Sequence, residues 1–308
     1  MSELRVRRVR FDLAGDDIPF NWHPRRSSFA MQCNVVSFFA PGFEKFIVDA
    51  TREAIPMITD PAAAEEAQLY LRQEAQHSAA HLAHIRALSR RWPGLQQVAD
   101  DVVASYERLT ATRSLRWRLA YPAVLEATFT PYFKVFLDHD DTLFEPGDDR
   151  VASLFLWHFA EEIEHRSSAL LVYNAVADDY LFRLRTIPAV VRHLHEILTI
   201  IGTGFREHVP ADEGGAAARL MPSGLGVRAL FDTIRAARAM RPATLPTYAG
   251  VPRRELAAMV AGLIRSQGPG HDPRFENLPP LAARWFDRYD EDPRVAPRWY
   301  RSGAGRTA

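Results

Sequence analysis

Glu-x-x-His occurs twice in this chain, as Glu74-Ala-Gln-His77 and Glu162-Ile-Glu-His165, each within a stretch whose apolar residues recur every three or four positions. Residues three apart on an α-helix share a face, so the two side chains of a pair reach one ion or two neighbouring ions. One copy means little, because glutamate and histidine are common on solvated helices. A second copy on another helix requires a fold in which both faces turn towards one interior.

The periodicity supplies such a fold. The pattern becomes helical from Asn34, and PGFEKFIVDATREAI, opened by Pro41-Gly42, predicts a helix over about 41–55 with Phe43, Phe46, Ile47, Ala50 and Ala54 as its buried stripe. Asp60-Pro61, an N-cap followed by proline at the first helical position, opens a second helix that lasts to Trp92-Pro93-Gly94. A connecting helix over 95–111 leads to LRWRLAYPAVLEATFTPYFKVFLD, where Pro131 predicts a kink about one turn beyond Glu126. The fourth long helix runs from about Val151 to Val176.

No alternating strand pattern interrupts these segments, so the expected fold is all-α. It comprises an irregular N-terminal arm over 1–30, a four-helix bundle over 31–180, and a C-terminal helical extension of the same domain over 181–308. The extension is expected to hold helices near 180–207, 225–240 and 253–266, then the amphipathic stretch LAARWFDRY.

The other two long helices each offer a carboxylate. Glu126 has no charged neighbour for seven residues on either side, and an unpaired acid in such a core costs several kcal/mol. Metal ligation removes that conflict. On the first helix Glu44 and Glu53 both qualify by pattern, and Glu44 would also answer the helix dipole. With Glu44, the order Glu, Glu-x-x-His, Glu, Glu-x-x-His is the ferritin-like di-metal carboxylate arrangement, and four carboxylates with two imidazoles suit iron or manganese better than copper.

His81 and His158 lie one turn from the pairs and read as additional ligands, as partners of ligands, or as core histidines. Helical phase sends Glu162 and His165 inward and leaves Glu161 and Glu164 on the flanks. Glu161 is placed to bond a ligand histidine or to meet solvent, and Glu164 to meet water or an arginine such as Arg166.

Composition narrows the partners. Thirty-eight basic residues against thirty-eight acidic ones leave no net field for nucleic acid or an anionic membrane. The single cysteine, Cys33, excludes an internal disulfide or a cysteine-built metal site within one chain and fits a cytoplasmic location. The N-terminal MSELRVRRVRFDLAGDD has no apolar run after its arginines, so no secretory signal is expected there. The most lipid-like segment, 187–205, contains Pro188, Arg192, His193, His195 and Glu196, so no membrane span is expected.

The segments FFAPGFEKFIVDA, LRQEAQHSAAH, LEATF and WHFAEEIEHRSSALLVY, in that order, with the later GPGHDPRFENLPPLAARWF, resemble the bacterial family called predicted metal-dependent hydrolases, a ferritin-like group. The resemblance implies Glu44 rather than Glu53, and Glu44, Glu74, His77, Glu126, Glu162 and His165 as metal ligands through which catalysis would run. It keeps His81 and Glu161 as candidates. From the ligand set, the expected function is a non-haem di-iron oxidase or oxygenase, using two iron ions, or manganese or a mixed pair. Dioxygen and an external electron donor would act on a small, largely apolar organic substrate.

The alternative is a di-metal hydrolase that directs a metal-bound water at an ester, amide or phosphoryl group, in keeping with the family's description. Phe129, Phe133, Trp157 and Phe159 read as core packing or as pocket walls. The reading allows a redox partner and a homodimer.

Overall fold

Helix α1 spans Ser27–Ala54, entered through a 3-10 turn at Pro24–Arg26, in the computed structural model of this chain. It therefore begins well before Pro41, where the sequence suggested a start. Proline inside a helix costs about 3 kcal/mol through a lost hydrogen bond and a crowded carbonyl. The added turns bury Phe29, Cys33 and Phe38, and each buried phenylalanine returns about 1.5–3 kcal/mol, which outweighs that cost. The structure describes residues 4–15, 17–145, 147–220 and 245–301, and every regular element among them is helical.

Helix α2 (Pro61–Arg91) starts where the sequence indicates, with the Asp60 carboxylate accepting from Ala62 N. Helix α3 (Gly94–Thr112) connects it to α4 (Leu115–Leu125). The expected kink falls earlier than anticipated, as a 3-10 turn at Glu126–Thr128 ahead of α5 (Phe129–Asp138). The reason is that a proline ring crowds the carbonyl four residues back, here that of Ala127, so the disturbance from Pro131 appears upstream and at Glu126 itself.

After the short α6 (Asp140–Leu143), α7 (Asp149–Glu164) opens with the Asp148 carboxylate accepting from Arg150 N and Val151 N. It is not one helix to Val176. The chain leaves the helix at His165 and restarts as α8 (Ser168–Val176). Arg166 covers the freed carbonyls, donating to Ile163 O at 2.8 Å and to Pro273 O at 2.7 Å.

Helix α9 (Tyr180–His208) packs against α1, α3 and α4. Helix α10 (Arg253–Arg265) lies on α5, and α11 (Pro280–Glu291) lies on α7 and α5. The helix expected at 225–240 lies outside the described residues. Among those described, no helix is long and apolar enough to cross a membrane.

The arm is more than a cover. Ile18, Phe20 and Trp22 are fully buried, and the Trp22 indole packs on Phe29, Phe144 and Phe155 while donating to Ala30 O at 3.2 Å. These three apolar residues belong to the core, although the run around them has no helical period.

Close approach of α9 to α3 depends on Gly204, where an added Cβ would sit 2.1 Å from Val98 Cγ2. Valine in a helix is nearly fixed at χ1 and cannot turn aside. Gly204→Ala is therefore expected to cost about 1–3 kcal/mol by overpacking, more than its helix-propensity gain of about 1 kcal/mol. Urea denaturation checks this; a midpoint at or above wild type would contradict it.

Candidate metal centre

One face of α2 carries Tyr70, Glu74, His77, His81 and His84 in successive turns, all fully buried. Helix α1 brings Glu44 to this stripe and α7 brings His158 and Glu162, while His165 stands just past the end of α7. His165 Nε2 lies 3.0 Å from Glu74 Oε1 and 3.5 Å from Glu162 Oε2. His77 Nδ1 is 3.9 Å from Glu74 Oε1 and 3.6 Å from Glu162 Oε1. His158 Nε2 is 2.9 Å from Glu162 Oε1 and 3.6 Å from Glu44 Oε1.

Four overlapping triads have donor atoms within 4.8 Å of one another: Glu44/Glu74/His77, Glu74/Glu162/His165, His77/His158/Glu162 and Glu44/His81/His158. Glu126 is in none of them. It lies buried at the 3-10 turn, with Oε1 accepting from the Tyr70 hydroxyl. Glu53 is exposed and paired with Arg118, so of the two first-helix candidates the structure brings only Glu44 to the cluster.

Several of these atoms lack a hydrogen-bond partner: both oxygens of Glu44, Oε1 of Glu74, Nδ1 of His77, Oε2 of Glu126 and Nε2 of His165. Buried polar groups are rarely left this way, at a cost of about 1–3 kcal/mol each. His165 Nε2 and Glu74 Oε1 approach to 3.0 Å and still miss hydrogen-bond alignment. Groups aimed at each other bond; groups aimed at a shared point between them do not. Hard carboxylate oxygens with imidazole nitrogens fit a divalent ion such as iron or manganese at that point.

Electrostatics describe the same crowding. Burial first, and then neighbouring Glu74 and Glu162, push Glu44 and Glu126 well above the usual carboxylate range. Burial works to raise Glu162 too, but His165 and His158 beside it prevail and hold it below that range. Burial lowers His77 to about 4. His165 is raised instead, because Glu162 and Glu74 outweigh its desolvation.

Around these groups lies a buried hydrogen-bonded set. His77 Nε2 is 2.9 Å from Glu161 Oε2, and burial lifts Glu161 to about 8 against the pull of Arg7. His165 Nδ1 is 3.1 Å from Gln73 Oε1. A second chain runs from Glu162 to His158, then His81 Nε2 at 2.7 Å, then from His81 Nδ1 to the Ser37 hydroxyl at 2.9 Å, and on to His84 Nδ1 at 2.8 Å. Both ring nitrogens of His81 are engaged, one with His158 and one with Ser37.

Glu164 meets an arginine, as expected, but it is buried rather than on a solvated flank, and the arginine is Arg7, while the helix break at His165 directs Arg166 to backbone carbonyls. Sequence reading did not single out Tyr70, Gln73, Ser37 or Arg7. Tyr70 lies one turn before Glu74 and Ser37 two turns before Glu44, so helical phase carried a signal for those two. Arg7 is 154 and 157 positions from its partners, and nothing local announces it.

A cavity of about 260 Å³ opens onto Glu44, His158 and Glu162. Its wall is otherwise aliphatic and aromatic, from Val35, Val36, Phe39, Ala40 and Phe43 of α1, Leu125, Phe129 and Phe133, and Leu194, Leu198 and Leu263, with Thr128 and Tyr132 as the hydroxyl-bearing members. Phe129 and Phe133 thus line the pocket. Phe159 stacks behind Phe133 at 4.2 Å, and Trp157 packs edge-on to His77 at 4.9 Å; both are packing residues.

Residues 5–245 match the family described as predicted metal-dependent hydrolase. No curated protein and no solved structure matches the chain.

Proposed function

The chain belongs to the predicted metal-dependent hydrolase family, and we propose that its buried cluster holds two iron ions in the ferritin-like carboxylate manner and oxidises a small, largely apolar molecule with dioxygen. Glu44, Glu74, His77, Glu162 and His165, which the triads bring together, would hold the ions, with the buried Glu126 beside them as the sixth ligand. The observation that carries this reading is the convergence of partnerless buried donor atoms beside an apolar cavity. Ferrous iron, if bound there, would supply the reducing chemistry toward dioxygen, with an external donor restoring it.

The chain's own residues do the remainder. The hydrocarbon wall excludes water and leaves Glu44, His158 and Glu162 as the groups fronting the substrate. Tyr70 donates to Glu126 and leaves its other oxygen for the ion. Among the described residues the wall contains no lysine or arginine, so a phosphorylated or carboxylated substrate would lose its hydration without compensation from them.

Hydrolysis is the second reading, and the family's description favours it. It requires donors for a developing oxyanion and an acid for the leaving group. Thr128 already donates its hydroxyl to Leu125 O at 2.6 Å, which leaves Tyr132, an acceptor from Gln32, as the one hydroxyl donor among the described lining residues and weighs against that reading.

Anaerobic titration with ferrous iron, followed by air, tests the choice. About two irons per chain are expected, with growth of near-ultraviolet ferric absorption on exposure. Protein that keeps zinc or manganese, ignores oxygen and cleaves simple esters would replace the first reading with the second.

A further inference from the structure

The histidines of the two Glu-x-x-His pairs are held from behind, and both lines of support end on one side chain. Behind His77 stands Glu161, whose Oε1 accepts from Arg7 Nη1 at 3.2 Å. Behind His165 stands Gln73, whose Nε2 donates to Glu164 Oε2 at 2.8 Å. Glu164 in turn takes Arg7 in a two-pronged pair, from Nη1 at 2.8 Å and Nη2 at 3.0 Å. Arg7 is only 4% exposed, and its guanidinium carbon lies 4.3 Å from the centre of the Phe286 ring on α11.

We infer that Arg7 is a positioning residue for the metal centre: clamped between Glu161 and Glu164, its guanidinium fixes the ring orientations of His77 and His165 together. This rests on the metal-binding reading above. An imidazole binds a cation well only when its ligating nitrogen already points at the ion, and a partner on the other nitrogen supplies that aim. Here His77 presents Nδ1 and His165 presents Nε2, so the rings need different anchors, and one planar fork serves both. A lysine ammonium is a point charge and cannot reproduce that fork. The Phe286 face closes the clamp from a helix beyond residue 245, so the C-terminal part of the chain contributes to the centre without lending a ligand.

Arg7→Lys, Gln73→Leu and the double variant test this in the full-length protein, with ferrous iron titrated anaerobically against a competing chelator. Arg7→Lys is expected to raise the iron dissociation constants of both sites by about 10- to 100-fold, the usual loss when a ligand's orienting partner is removed. Gln73→Leu is expected to weaken one of the two sites, and the double variant to add little at that site, since the two changes cut the same line. Melting of the metal-free proteins is the control for folding. A folded Arg7→Lys protein with a lower metal-free melting temperature and wild-type iron affinity has lost a purely structural contact, and that result overturns the inference. Wild-type protein that takes up no ferrous iron overturns the metal-binding reading and this inference with it.

Discussion

Glu44→Gln and Glu126→Gln are expected to lose metal by far more than the roughly 10- to 100-fold that loss of a ligand's partner costs, while the metal-free proteins fold as stably as wild type or more so. Both acids are raised well above the ordinary value of 4.5, first by burial and then by Glu74 and Glu162. These surroundings favour the protonated form of each acid, and glutamine imitates that form. The folded state holds protons that the unfolded chain releases above about 4.5, so the contribution of these two acids to metal-free stability is fully present below that pH and is lost as pH rises through their folded values.

Each glutamine variant removes part of that slope, so its advantage over wild type should widen as pH rises above about 4.5 without metal. With metal present the order should reverse, because only wild type gains binding free energy. Urea midpoints with and without iron measure this. Wild-type affinity in either variant would remove that residue from the ligand set.

Acid should unfold the protein through a different group of residues. Burial lowers His84 and His23 to about 4 from the ordinary 6.5, so the fold keeps them neutral while the unfolded chain takes up protons. Their contribution is fully present above pH 6.5 and is lost as pH falls towards 4. For fully buried His84 this amounts to on the order of 3 kcal/mol, a large part of the 5–15 kcal/mol typical of a folded domain.

The urea midpoint should fall steeply between pH 6.5 and 4.5, and most plainly in the Glu44→Gln/Glu126→Gln double variant, where the opposing slope is gone. His23 is buried, and its ring makes no side-chain hydrogen bond, so His23→Phe should flatten the acid limb at little cost at pH 7. A midpoint that stays level across this window would contradict the account.

How far these groups were legible depended on how local their cause is. The α2 pair, its Asp60-Pro61 start and the isolation of Glu126 among apolar residues are short-range features, and helical phase reads them directly. The turn at Glu126–Thr128 was misplaced and the break at His165 missed, because each is a compromise between the helix ladder and contacts made elsewhere. The α1 start was misread because a proline signal is local, whereas the phenylalanines that override it act through the whole core. Arg7 and Glu164 show the limit most clearly. Phase put Glu164 on a flank, and only the path of the arm turned that flank into the interior.

The clamp over Arg7 also imposes an order in time. Synthesis delivers Arg7 and then all six candidate ligands well before Phe286, so a growing chain carries them long before it has the helix that closes over the guanidinium. Early metal capture would take place in a loosely aimed centre. Tight retention would await the docking of α11 on the arm.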